Sequence, residues 1–427
     1  MWNTWEGGKV LKDKISNRQA RIEVLGLGYI GLPTAILFAK AGFNVTGIDV
    51  NEKVVNAVNN GKTHIVEPDL DELVRRVIES NKFNVYPTPQ RADVFLICVP
   101  TPITEDKKAD LSYVKSAAKS LIPVLEKENL VILESTVPPK TTENILIPVL
   151  EQSGLKAGKD IYVAHCPERV LPGKILREAV ENDRIIGGVD EISTDLAAEL
   201  YNTFVKGKII KADATTAEMC KLVENTYRDI NIAFANELSM LCDELGIDVW
   251  KLIEFANKHP RVNILQPGPG VGGHCIAVDP WFIVEKFPED AKLIKTAREV
   301  NDAKPGWIVN KIEKMVESID NANPTIGILG LTYKPDVDDI RESPSLKIVN
   351  SLISKGYEVK ACDPYVNDNK VNFSLTGVDN IIEDCDIIVL LVDHKRFKES
   401  EVKEKIINSG KPILDMKGIF TKGVNNR

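Results

Sequence analysis

No apolar run in this sequence of 427 residues approaches the roughly 20 needed to cross a bilayer as a helix. The first twenty residues, MWNTWEGGKVLKDKISNRQA, carry no apolar stretch of the kind that a secretory signal requires. An amphipathic or frayed N-terminal tail over 1–20 is the expectation there. Cysteine pairs are absent too: the seven cysteines stand apart at 98, 166, 220, 242, 275, 362 and 385, with no C-x-x-C. That pattern argues against a disulfide framework or a structural zinc site, so no metal is expected and a reducing cytoplasm is favoured. Basic residues form no stripe, and the net charge of −8 speaks against a nucleic-acid partner. What remains is a globular composition, 43% apolar and 27% charged, on a chain too long for one ordinary core.

The N-terminal half alternates strand-like and helix-like segments. Arg21–Gly26, Asn44–Asp49, Ala92–Val99, Leu130–Glu134 and Asp160–Ala164 read as buried parallel strands, with a helix over Leu32–Ala41. Residues 215–245 contain no glycine or proline and space their apolar residues as a helix does, with Gly246 as the stop. A second helix is expected over 289–303. Strands then return at Thr325–Gly330, Glu358–Asp363, Asp386–Val392 and Ile413–Met416, and the two ends echo each other: IEVLGLGYIG beside TIGILGLTYK, ADVFLICVPTP beside CDIIVLLVDH. The expected fold is α/β, with two Rossmann-like doubly wound domains joined by a central helical domain that carries a long spanning helix. Expected boundaries are 21–210, 211–320 and 321–427.

Gly26-Leu-Gly28-Tyr29-Ile30-Gly31 is a G-x-G-x-x-G between a strand and a helix, and Asp49 ends the next strand 21 positions after Gly28. Glycines let a backbone approach a pyrophosphate, and the helix N-terminus offers N–H donors. A carboxylate at Asp49 suits a free ribose 2′-hydroxyl and repels a 2′-phosphate, which favours NAD over NADP. The C-terminal echo, Gly330-Leu-Thr-Tyr-Lys334, has lost those glycines and gained a lysine, which suits a different phosphate.

Four glycines in 268–273 form a loop able to curl around a ligand, and it delivers Cys275 with His274 before it and Asp279 four residues later. A buried structural cysteine is the bland alternative. The nucleophilic reading has a reaction: a thiolate adds to an aldehyde, the adduct loses hydride, and the resulting thioester is hydrolysed. Thr136 and Glu168 follow strands, and Lys221 and Asn225 lie at i and i+4 on the long helix, where an ammonium and an amide could hold an oxyanion.

From GLGYIG through VPTP, ESTVPP, PER, KLVENTYRDINIAFANE and GGHC to TYKPDVDDIRESPS, the chain resembles the UDP-glucose/GDP-mannose 6-dehydrogenase family over nearly its whole length. The resemblance implies Cys275 as nucleophile assisted by Asp279, an oxyanion pair in Lys221 and Asn225, and water positioning and proton transfer by Glu168 and Thr136. It implies NAD contacts from Gly26, Gly28, Tyr29, Ile30, Gly31, Asp49, Thr101, Thr136 and Arg341. Substrate contacts are implied for Glu168, Arg169, Lys221, Asn225, Asn263, Gly272, His274, Tyr333 and Lys334. Arg261 is implied to reach the substrate across a subunit interface, in a homodimer or higher homo-oligomer. The family's glucose enzymes carry GGSCxxKD, whereas His274 and Val278 stand here, which resembles members acting on N-acetylated sugars; Ala277 tips the expectation to UDP-N-acetyl-D-mannosamine over UDP-N-acetylglucosamine. The expected partner is thus a UDP-N-acetylhexosamine, oxidised at C6 by four electrons for surface polysaccharide or glycan synthesis. A non-catalytic NAD- or nucleotide-sensing protein would have had no need to keep Cys275, Lys221, Asn225 and Glu168 together.

Overall fold

In the computed structural model, which describes residues 8–171 and 173–420, the N-terminal apolar runs become strands because helices cover both faces of their sheet. These strands are β1 (Arg21–Leu25), β2 (Asn44–Ile48), β3 (Phe83–Tyr86), β4 (Val94–Ile97), β5 (Leu130–Leu133), β6 (Tyr162–His165), β7 (Arg184–Gly188) and β8 (Ile209–Asp213). The sheet order is β3-β2-β1-β4-β5-β6-β7-β8, parallel throughout except where β7 runs against β6. Every residue of β4, β5 and β6 is buried, which is why these strands read as continuous apolar runs. One core cluster gathers Ile22, Val24, Phe38 and Val94; another gathers Leu25, Phe95, Ile97 and Leu121. Strands β3, β7 and β8 were not expected from the sequence.

The stretch read as a tail is more ordered than that. Residues 1–7 lie outside the described residues, but Lys9–Ser16 form a helix. Leu11 and Ile15, one turn apart, are buried in the first cluster and hold it down.

The long helix spans Ala214–Leu245, and Gly246 follows at φ +67°, as expected. The chain divides into two compact units, one running to Glu224 with Trp281–Lys286, the other comprising Asn225–Pro280 and the residues from Phe287 on. In the second unit the helix expected over 289–303 instead runs Lys292–Glu317, straight through Pro305 and Gly306. Proline removes the donor that the Asn301 carbonyl would have used, and that carbonyl faces Gly270 instead, 3.1 Å from where a Cβ would stand. Beyond the proline, Ile308, Val309 and Ile312 enter the core of the second sheet, which offsets the lost bond. That sheet contains β9 (Thr325–Leu329), β10 (Glu358–Cys362), β11 (Ile387–Leu390) and β12 (Ile413–Asp415), all parallel, in the order β10-β9-β11-β12.

Candidate active site

In the first unit the strand order reverses between β1 and β4, the crevice where parallel α/β sheets take ligands. The glycine loop after β1 lies there, and each glycine has a separate physical reason. A Cβ on Gly26, which has φ +89°, would meet the Cys98 carbonyl oxygen at 2.8 Å. A Cβ on Gly31 would lie 1.8 Å from the Gly26 oxygen, so this glycine closes the helix onto the turn. At Gly28 a Cβ would meet nothing within 4 Å, so the missing side chain leaves open space at the backbone. These are the three requirements of a pyrophosphate cradle, and the residues fit a dinucleotide. Asp49 secures the loop: Leu27 N–H donates to Oδ2 at 3.0 Å, and Asn51 N–H to Oδ1 at 2.9 Å. Tyr29 is 38% exposed beside the loop. Thr101 Oγ1 donates to the Thr136 carbonyl at 2.6 Å, which ties the loop after β4 to the loop after β5.

Glu168 follows β6 and is buried. Its Oε1 accepts the Arg169 N–H and its Oε2 accepts Arg184 Nη2, both at 2.7 Å. The Arg169 guanidinium is committed to Glu224, at 2.6 Å, and to the Asp183 carbonyl. Glu67 accepts the N–H groups of Gly173 and Ile175, both at 2.7 Å, which clamps the far end of this loop. Lys221 is half-buried on the long helix.

In the second unit Asn225 Nδ2 donates to Asp279 Oδ2 at 2.6 Å, and both are buried. The N–H groups of Val278 and Asp279 both donate to the Cys275 carbonyl, at 3.0 and 2.8 Å. Cys275 thus opens a turn stapled through Asp279 to the long helix, with its thiol on the exposed side. The glycines before it permit close packing: a Cβ on Gly272 would lie 2.6 Å from the Glu342 oxygen, and one on Gly273 would lie 2.9 Å from the Tyr333 ring. Gly273 N–H donates to the Arg341 carbonyl at 3.2 Å, and the Arg341 guanidinium grips both oxygens of Asp339. Desolvation, then the Arg341 charge, lowers the His274 pKa below its ordinary value, so the ring is neutral at pH 7.

A cavity of about 130 Å³ opens beside this loop. Gln266–Gly270, Tyr333–Pro335, Leu391–Asp393 and Lys417 line it, so it lies at the ends of β9 and β11, where the second sheet's order reverses. Lys334 and Lys417 bring two cations to it. Arg261 and Asn263 are exposed and do not line it.

Sequence reasoning overlooked Lys417 and a polar network beneath the glycine loop. Gly268 N–H donates to Asn236 Oδ1, Asn236 to Asn301, and Asn301 to Asp229, which also pairs with Arg298. Polar residues seven apart on one helix (229, 236) and three apart on another (298, 301) fall on faces that should be apolar. That was the available signal.

A dinucleotide cradle, a thiol on a stapled glycine turn and a second sheet with a cationic switch-point cavity together define a dinucleotide-dependent oxidoreductase that also binds a nucleotide-bearing substrate. Models of the UDP-glucose/GDP-mannose dehydrogenase family match three successive stretches: the NAD binding domain over residues 20–205, the central domain over 215–303 and the UDP binding domain over 327–422. The chain belongs to this family, so NAD is its cofactor and a UDP-sugar its substrate. It is 52% identical to a UDP-N-acetyl-D-mannosamine dehydrogenase of Methanocaldococcus jannaschii, over 98% of this chain and 95% of that one. It is 48% identical to an NDP-N-acetyl-D-galactosaminuronic acid dehydrogenase of Ralstonia solanacearum, over 94% and 96%. A UDP-D-ManNAc dehydrogenase structure from Pyrococcus horikoshii superposes with a TM-score of 0.87 at 43% identity, covering 94% and 96%. Among the described residues, no helix is long and apolar enough to cross a membrane and no side-chain group is arranged to hold a metal.

Proposed function

We propose that this chain oxidises C6 of UDP-N-acetyl-D-mannosamine to the uronate, consuming two NAD and one water, with Cys275 as covalent nucleophile. The observation that carries the covalent reading is the Cys275 turn, stapled through Asp279 to Asn225. His274 and Val278 support an N-acetylated sugar, and the manno epimer rests on Ala277 together with similarity to relatives bearing that name. Gly26, Gly28, Gly31 and Asp49 would hold NAD, with Tyr29, Ile30, Thr101 and Thr136 as further contacts and Arg341 as one more candidate, and the bound cofactor would supply the hydride acceptor for each oxidation. Lys221 and the second N–H of Asn225 donate to the substrate oxygen as charge develops on it. The Cys275 thiolate then adds to the C6 aldehyde, and loss of a second hydride leaves a thioester. Glu168 accepts a proton from the water that cleaves it, with Thr136 alongside.

Lys334 and Lys417 hold the diphosphate, next to Tyr333 and Gly272, and neutral His274 faces the sugar. We assign NAD to segment 21–210, the thiol loop to 211–320 and UDP to 321–427. Tyr227, Phe234, Leu241 and Leu245 leave apolar surface exposed on the long helix, which suits a homodimer in which Arg261 reaches the partner's substrate. A cytoplasmic site and a role in polysaccharide assembly complete the reading. The Ralstonia relative motivates a second reading, a galacto-configured sugar.

Supplying UDP-N-acetyl-D-mannosamine and its gluco and galacto epimers with NAD tests both. The expected result is two NADH per mannosamine sugar and a kcat/KM at least about tenfold above either epimer. One NADH per sugar would remove the four-electron mechanism. Cys275→Ser should stop after the first oxidation; full activity in it would remove covalent catalysis.

A further inference from the structure

The first residue of β7 is a buried arginine that the reaction above leaves without a part. Because β7 runs antiparallel to β6, Arg184 lies at the sheet edge where β5 and β6 end. Its side chain is 4% exposed, and its guanidinium forks between two carboxylates. Nη2 donates to Glu168 Oε2 at 2.7 Å, and Nη1 donates to Glu134 Oε1 at 3.3 Å. Tyr201 closes a third side: its ring centroid lies 4.7 Å from Arg184 Cζ, and its hydroxyl donates to Glu134. Cys98 Sγ donates to the other Glu134 oxygen at 3.0 Å. Burial pushes the Cys166 thiol up to about 12, the Cys98 thiol well above its ordinary value and the His165 ring down to about 3, so these neighbours stay neutral. Burial also pushes the Glu134 carboxyl upward against the pull of Arg184. Of the guanidinium's two bonds, the shorter goes to Glu168.

We propose that Arg184 is a positioning residue for Glu168, fixing the carboxylate in one orientation, while Glu134 and Tyr201 fix Arg184. This rests on the reading of Glu168 as the base in thioester cleavage. In that step the water oxygen bonds to the thioester carbon and its proton passes to Glu168. The C–S bond breaks and returns its electron pair to Cys275. A rotating carboxylate performs this step poorly, because a base must sit within hydrogen-bond reach of the proton it takes. A guanidinium kept only to balance buried Glu134 would, when lost, harm folding and leave the hydrolysis step alone.

The test mixes full-length Arg184→Lys and Arg184→Gln enzymes with NAD and UDP-N-acetyl-D-mannosamine in stopped flow, then quenches in acid for intact mass. The expected record is a burst of two NADH per site, an acyl adduct on Cys275 and an unchanged kcat/KM for the sugar, because KM falls together with kcat once hydrolysis limits turnover. Steady-state turnover should fall about 10- to 100-fold in the glutamine variant and less in the lysine variant. If Arg184→Gln fails to fold, Glu134→Gln and Tyr201→Phe replace it, since each loosens Arg184 without removing it, and a smaller adduct of the same kind is expected. A linear time course without adduct, or unchanged turnover, overturns the proposal. Glu168→Gln runs in parallel: adduct there but in no Arg184, Glu134 or Tyr201 variant refutes the positioning role alone, while its absence in Glu168→Gln removes the reading of Glu168 itself.

Discussion

Glu23 sits in the middle of β1, on the face where Leu25, Phe95 and Ile97 pack, and is fully buried. One carboxyl oxygen accepts the Gln90 N–H at 2.8 Å, and the other has no partner among the described residues. Burial raises its pKa from an ordinary 4.5 to about 8, with the Gln90 bond pulling the other way. The folded protein therefore keeps a proton that the unfolded chain releases above pH 4.5. Stability from this group is complete below the unfolded value and is lost as pH rises through about 8. Each pH unit in that window removes about 1.4 kcal/mol, so between pH 5.5 and 7.5 the loss is about 2 to 3 kcal/mol. Glu23→Gln keeps the shape and the acceptor for Gln90 but has nothing to titrate. Urea unfolding of both proteins at the two pH values, read locally by hydrogen exchange of β1 and β4 amides, isolates the effect because other titrating groups cancel. The variant should gain on the native protein by that amount as pH rises. Parallel stability curves would refute the reasoning and place an unseen partner on the second carboxyl oxygen.

Gly28 and Gly31 should respond differently to the same added methyl group. Gly28→Ala should melt with the native protein yet bind NAD more weakly, while Gly31→Ala should lose stability by about 1 to 3 kcal/mol as well as NAD binding; thermal melts and NAD titrations separate them. Lys304 gives a pH effect opposite in sign to that of Glu23. It is fully buried, donates to Ser239 Oγ at 2.6 Å and lies 3.8 Å from the Trp307 ring centroid, and desolvation lowers its pKa from 10.5 to about 7. The unfolded chain holds that proton up to 10.5, so stability rises with pH above about 7, and the advantage of Lys304→Met should shrink between pH 7 and 9. An advantage constant with pH in urea titrations would assign the lysine a proton throughout.

Fully buried strands announce themselves as apolar runs, so β4, β5, β9 and β11 were legible. Edge strands do not: β3 alternates buried and exposed positions, and β8 has no fully buried residue. β7, which ends in two glycines and runs antiparallel to β6, looks like a turn. The helix through Pro305 was misread because its continuation is decided by core packing elsewhere, not by the local donor that proline lacks. The site divides the same way. Gly26, Gly28, Gly31, Asp49 and Cys275 could be singled out as candidates because the pattern that marks them is written in local spacing. Arg184 and Glu134 are 50 positions apart and meet only in the folded sheet, as do Lys417 and the glycine loop.

The echo between the two ends of the chain turns out to be an echo of construction, and the differences are where function divides. Asp93 accepts the N–H that begins β1 at 2.7 Å, and Asp386 accepts the N–H that begins β9 at 2.8 Å. Asp49 accepts the N–H of Leu27, and Asp363 that of Leu331 at 2.7 Å. Gly26 and Gly330 turn at φ +89° and +93°. Departure begins two residues later. Where Gly28 leaves space, Thr332 is buried, donates to the Lys334 carbonyl at 2.8 Å and lies 3.3 Å from His394 Nε2. The Asp336 N–H donates to His394 Nδ1 at 3.0 Å, so Nε2 carries the ring hydrogen toward Asp363, also at 3.0 Å. Where Gly31 lets the first turn close on itself, Pro335 stands. A pyrophosphate cannot approach that backbone as it can the first. The second sheet instead brings two side-chain cations, Lys334 and Lys417, to its cavity, and side-chain cations reach farther than an amide and demand less of the turn. One scaffold thus serves two nucleotides by emptying a position in one copy and filling it in the other, while the aspartate staples that hold each sheet are retained.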